Sequence, residues 1–277
     1  MKPVNRSKTR IILGKAYYTC RRYIDWYFGK KKYAKEVSLS LLPFISFKHS
    51  TPLLRQLKDV DMWMQHNKVN NLKIAIKKIN GIVIYPGETF SYWKLIGKPT
   101  KGKGYLDGMI LFYGKVKSGV GGGLCQLSNL IYWMTLHTPL SVVERYRHSY
   151  DVFPDSNRKL PFGSGATCSY NYIDLQIYNG TNEPYQLNLY LSEDELAGEW
   201  RTMSQPNYQY EVYEDKHWIT HEYWGGYIRH NTIRRRKING LEIVDDEFIT
   251  ENHALMMYQP FLSEKASNST SDKNPLI

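Results

Sequence analysis

Cys125 stands directly after a glycine run and at the start of a helical pattern, in Gly121-Gly122-Gly123-Leu124-Cys125-Gln126-Leu127-Ser128. A thiol at a helix start sees unpaired backbone N–H groups and the positive end of the helix dipole. Both favour the thiolate, which is the nucleophilic form. Glycines carry no Cβ, so a ligand can come close to their backbone, and their N–H groups could serve an oxyanion. Ser128, Asn129 and Tyr132 lie three, four and seven residues beyond Cys125 and therefore share its helix face. A polar face with a thiol at its N-terminus is expected to line a cleft. The base that such a nucleophile needs is assigned to His148, in a turn-like segment after the next strand. His137 lies twelve residues down the same helix, about 18 Å along its axis, and cannot reach the thiol. The competing reading makes Cys125 a small buried hydrophobe. A phosphate-binding loop is excluded because no Lys-Ser/Thr follows the glycines. A zinc site is excluded because Cys20, Cys125 and Cys168 are dispersed and no histidine pair has ligand spacing. No metal or cofactor is expected.

These residues need elements to hold them. Residues 1–36 read as a basic amphipathic helical region, and residues 37–62 as a mixed stretch broken by Pro43 and Pro52. Val69, Leu72, Ile76 and Ile79 recur at helical spacing, with a stop at Asn80-Gly81. A strand over 82–85 closes at Pro86-Gly87, and Glu88 begins the next element. Residues 109–117 read as a hairpin about Gly114 that delivers the glycine run. The cysteine helix is expected over 124–137, with Leu124, Leu127, Ile131 and Met134 as its core stripe. Strands are expected over 141–145, 167–170, 173–178 and 185–191, with Asn179-Gly180 as a hairpin turn. Cys168, inside one of them, reads as packing. More strands are expected over 199–250, with a basic knot at Arg234-Arg235-Arg236-Lys237. The loop 154–165 is rich in turn residues, and the tail from Ser263 reads as disordered. The whole is an α+β protein divided at 1–62, 63–200, 201–262 and 263–277, in which the cysteine helix packs on an antiparallel sheet.

Composition bounds the partners. Of the net charge of +11, +9 resides in the N-terminal arm: residues 1–36 hold eleven Lys or Arg against Asp25 and Glu36, while the remainder has 26 bases against 24 acids. Aromatic residues among those charges favour an anionic membrane surface over nucleic acid, and the body carries no nucleic-acid-reading motif. The 23 tyrosines suit half-buried strands and wet clefts. Ile11-Ile12-Leu13 is too short for a secretory signal core, and the apolar stretch 39–47 is too interrupted to span a bilayer. The expectation is a cytoplasmic chain or one resting on the inner membrane face, with export by another route left open. Three dispersed cysteines are no disulfide framework.

The run 121–130, with Leu136-His137-Thr138-Pro139-Leu140, Pro86-Gly87-Glu88-Thr89-Phe90-Ser91 and Tyr172-Ile173-Asp174-Leu175, resembles the VanW family. The similarity extends from about residue 67 to residue 191 in unbroken order. The resemblance implies a link to the bacterial cell wall and glycopeptide resistance. It also implies L,D-transpeptidase-like chemistry, in which Cys125 attacks a carbonyl of a peptidoglycan stem peptide or precursor and His148 carries the proton. Gly121, Gly122, Gly123, Gln126, Ser128, Asn129, Tyr132 and Glu88 would line the substrate. The alternative is an accessory module that binds a stem peptide or lipid-linked precursor without chemistry. One position departs from the pattern: the family usually has Asp before Ala166-Thr167, and here the residue is Gly165.

Overall fold

A computed structural model describes residues 7–54, 61–152 and 160–260. The tail expected from residue 263 and the first half of the loop expected over 154–165 lie outside the described residues. The chain runs α1 (Lys8–Phe28), β1 (Lys32–Tyr33), β2 (Glu36–Val37), β3 (Phe44–Pro52), α2 (Met62–Ile79), β4 (Ile82–Ile84), β5 (Glu88–Ser91) and α3 (Tyr92–Ile96). After a short 3-10 turn come β6 (Asp107–Phe112), β7 (Lys115–Val120), α4 (Cys125–Leu136), β8 (Ser141–Glu144) and β9 (Tyr150–Asp151). The remainder is strand: β10 (Gln176–Tyr178), β11 (Tyr185–Leu191), β12 (Glu195–Thr202), β13 (Gln209–His221), β14 (Tyr227–Asn239) and β15 (Glu242–Met256). This is the α+β class that the pattern predicts.

Three sheets and one hairpin follow, in the orders β1-β5-β10-β8, β2-β4-β11-β12-β3, β13-β14-β15-β9 and β6-β7. All pairings are antiparallel except β1 with β5 and β9 with β15. The early strands β1, β2 and β3 therefore share sheets with strands from beyond residue 80. Helix α4 lies on β12, β3 and β8, with Leu124, Leu127, Ile131 and Met134 all buried as the 3.6-residue period requires. Leu72, Ala75, Ile76 and Ile79 of α2 join the same core. Gly81, in the left-handed region, stops α2 as expected.

Two expected elements differ. Residues 167–170 form no strand; Ser169 makes one isolated bridge to Ile173, and Cys168 sits in a loop packed on the core. Asn179-Gly180 is no hairpin turn, because β10 and β11 belong to different sheets. The Asn179 amide instead donates to Ile84 O and Glu183 O, at 2.8 and 2.7 Å, and its oxygen accepts from Thr181. It turns the chain from one sheet to the next with its own side chain.

His137, just past α4, stacks on Phe47 at 4.0 Å with its Nδ1 3.0 Å from Trp133 O. Burial pulls its imidazole down to about 4. The unfolded chain takes up that proton first, near the ordinary value of about 6.5, so stability falls as pH drops from there toward 4. Equilibrium unfolding at pH 7 and pH 4.5 is expected to cost wild type about 2 kcal/mol more than His137→Gln. Equal losses would mean that the ring is not held neutral.

Candidate functional site

The glycine run is positioned by the β6–β7 hairpin before it and α4 after it. All three glycine N–H groups are engaged internally: Gly121 N donates to Leu106 O (3.0 Å), Gly122 N to Gly119 O (3.0 Å) and Gly123 N to Met109 O (2.9 Å). From the other side Asn71 of α2, fully buried, donates to Leu106 O and Gly122 O and accepts from Leu106 N. In this arrangement the glycines offer no N–H group to an oxyanion. Gly122 is glycine for a different reason: a Cβ there would stand 2.1 Å from the Gly108 carbonyl carbon. Gly123 has φ +89°, and a Cβ there would stand 2.2 Å from Lys68 Cγ. The close approach predicted for a ligand is made by the chain's own backbone.

Cys125 is the first residue of α4. Its Sγ donates to Cys168 O at 3.6 Å. Burial pushes the Cys125 thiol up, outweighing the opposite pull of that backbone contact, and pushes Cys168 further still. The helix-start argument predicts a lowered value, and desolvation of the sulfur reverses it. Cys125 makes no hydrogen bond to His148, whose ring is half-buried and held below its ordinary value, first by burial and then by the Arg147 charge.

The polar face of α4 fastens a neighbouring segment. Ser128 Oγ donates to Ala166 O (2.7 Å) and to Cys125 O (3.1 Å), while Asn129 Oδ1 accepts from Ala166 N (2.7 Å). Arg145 lies over the buried Tyr132 ring at 4.9 Å and donates to Gly165 O and Gly163 O. Gly165 backs onto Asn129, where a Cβ would meet Oδ1 at 2.7 Å. A side chain at 165 would therefore displace Asn129 from Ala166. Gln126 reaches the other way, to Thr51 Oγ1 (3.0 Å) and Pro52 O (2.9 Å) of β3. Glu88 stands apart from these groups in contact: it is buried, accepts from Tyr85 N (3.1 Å) and pairs with Lys32 Nζ (3.1 Å).

Sequence reasoning passed over Asn71 and Tyr92, whereas Cys168 packs against the core as expected. Tyr92, fully buried, donates to Leu124 O at 2.9 Å and braces the start of α4. Asn71 gave a signal: a polar side chain four residues before the core Ala75 must satisfy something buried. Beside the hairpin base lies a cavity of about 360 Å³ lined by Trp63, Asn67, Lys101, Tyr105, Asp107 and Ser118. Lys101 Nζ and Asp107 Oδ2 form an ion pair there, 2.9 Å apart.

A helix opened by a glycine-bearing hairpin and braced by a buried asparagine is thus laid on an antiparallel sheet. The family model described as "VanW like protein" matches residues 67–201, and the chain belongs to the VanW family. It is 35% identical over 227 residues to the vancomycin B-type resistance protein VanW of Enterococcus faecalis, covering 82% of each chain. It is 33% identical over 118 residues to the uncharacterized protein YoaR of Bacillus subtilis, covering 43% of this chain and 37% of that relative. No solved structure matches the chain. No described helix is long and apolar enough to cross a membrane.

Proposed function

We propose that this chain serves glycopeptide resistance at the bacterial cell wall as a module that binds a peptidoglycan stem peptide or its lipid-linked precursor, without acyl transfer at Cys125. Family membership and the resistance named for the Enterococcus faecalis relative support the wall connection. The observation that carries the non-catalytic reading is the engagement of the groups that chemistry would require. The thiol donates to a carbonyl and is held protonated, the glycine N–H groups close the hairpin, and no histidine bonds the sulfur. Catalysis of acyl transfer needs a thiolate beside a base and free oxyanion donors. The cavity is lined by the Lys101–Asp107 ion pair, and a peptide bearing a carboxylate and an amine would bind there by exchanging partners with that pair.

Calorimetric titration of the full chain with a synthetic stem pentapeptide tests the reading. Binding is expected to be unchanged within about twofold in Cys125→Ala and weakened about tenfold in Lys101→Ala or Asp107→Ala, as for loss of one charged hydrogen bond. Intact-protein mass spectrometry is expected to show no added mass. A covalent peptide adduct that disappears in Cys125→Ala would overturn the reading in favour of acyl transfer with Cys125 as nucleophile and His148 as base. Absence of any binding would overturn it outright.

A further inference from the structure

Helix α1 docks on the body through one face. Arg22 is buried and binds Glu144 and Tyr172 O, Trp26 is buried in the core cluster, and Asn171 donates to Thr19 O. The opposite face carries a stripe of large apolar side chains that stay mostly exposed among the described residues, with Tyr27 partly met by Lys94 Nζ, 4.3 Å over its ring. Leu13 is 66% exposed, Tyr17 61%, Ile24 60%, Tyr27 68% and Phe28 85%. At about 100° per residue, Tyr17, Ile24, Tyr27 and Phe28 all project within about 60° of Leu13, whereas Arg22 projects about 180° away. The stripe runs much of the helix length, which at 21 residues is about 31 Å.

Charge indicates what the stripe meets. Arg10 and Arg21 lie along one edge of it and Lys30 follows its end, all exposed. The one acid of α1, Asp25, is turned toward the body, where it accepts from Tyr33 at 3.0 Å and lies 3.5 Å from Arg22. An apolar face edged by bases, with Tyr and Phe at its end, matches the headgroup boundary of an anionic bilayer. A protein partner would more often be met by a groove or by mixed charge, and this convex stripe has neither.

We infer that α1 lies on an anionic membrane surface through its outward stripe, with the body hung from its inner face by Arg22 and Trp26. This surface is separate from the α4 region, and its test is independent of the wall-peptide reading.

Co-sedimentation of the full chain with phosphatidylcholine vesicles, with and without a one-third share of phosphatidylglycerol, is the test. Binding to the anionic vesicles is expected to exceed binding to neutral ones at least about tenfold and to decline with added salt. The double variant Leu13→Glu/Ile24→Glu, altered only at exposed positions, is expected to fall to the neutral-vesicle level while keeping wild-type circular dichroism and thermal unfolding. Three outcomes would overturn the inference: a double variant that binds as wild type does, a wild type indifferent to anionic lipid, or a wild-type dimer that the double variant converts to monomer with no vesicle binding.

Discussion

Gly122→Ala will destabilise the protein by at least about 3 kcal/mol, the upper range for overpacking a site that cannot relax. The added methyl carbon would stand 2.1 Å from Gly108 C and 2.2 Å from Gly108 O. Both are backbone atoms, so no rotamer change can relieve the clash. Gly108 meets Gly122 in return, with its own Cβ position 2.8 Å from Gly122 O. Separating the two segments would break the bonds that Asn71 makes to Leu106 and Gly122, that from Gly121 N to Leu106 O and that from Gly123 N to Met109 O. The damage therefore spreads from one contact to the start of α4. Gly102→Ala is the control, since nothing lies within 4 Å of a Cβ there, and it is expected to stay within about 0.5 kcal/mol of wild type. Denaturant midpoints of the three proteins decide the matter. A Gly122→Ala midpoint equal to wild type would show that the two glycines are not in contact.

In the folded protein, Cys125 will react with a mild alkylating agent roughly a hundredfold more slowly than Cys20 at neutral pH. Cys20 is exposed on α1. Cys125 is half-buried and donates its proton to a carbonyl, and burial pushes its thiol up, which disfavours the thiolate. Mass spectrometry of the native protein is expected to show one fast label at Cys20, with the other two cysteines labelled rapidly only on unfolding. The pH profile of the slow native reaction at Cys125 is expected to rise above the free-thiol value of about 8.5. Labelling in step with Cys20, with a midpoint below that value, would show an activated nucleophile and favour the catalytic alternative.

What the sequence made legible was local. The stop of α2 at Asn80-Gly81, the hairpin before the glycines and the four-residue stripe of α4 all follow from spacing and turn chemistry within a dozen residues. The glycine run was legible as a close approach, but its partner, Gly108 rather than a ligand, depends on a fold-back. Asn179-Gly180 carries a strong hairpin signal, yet β10 pairs with β5 and β8, and β11 pairs with β4 and β12. Those partners come from up to about a hundred residues away, where turn propensity has no say. Strand β3 was hidden because Pro43 and Pro52 suggest a broken segment, whereas Pro43 precedes the strand and Pro52 is its last residue. The ionisation of Cys125 failed to read for a related reason. The helix dipole is written in the position of the residue, but burial of the sulfur is written in the neighbours that cover it.

Arg235 of β14 donates from Nη1 to Leu136 O (3.1 Å) and Thr138 O (2.8 Å), while its other nitrogens pair with Glu247. A cation from outside the family-matched segment thus neutralises the closing carbonyls of the cysteine helix. The sheet β13-β14-β15-β9 is for that reason tied to the end of the cysteine helix rather than merely appended to it. Removing that sheet would leave the two oxygens to water, so the central helix of the family-matched segment is finished by a side chain from beyond it.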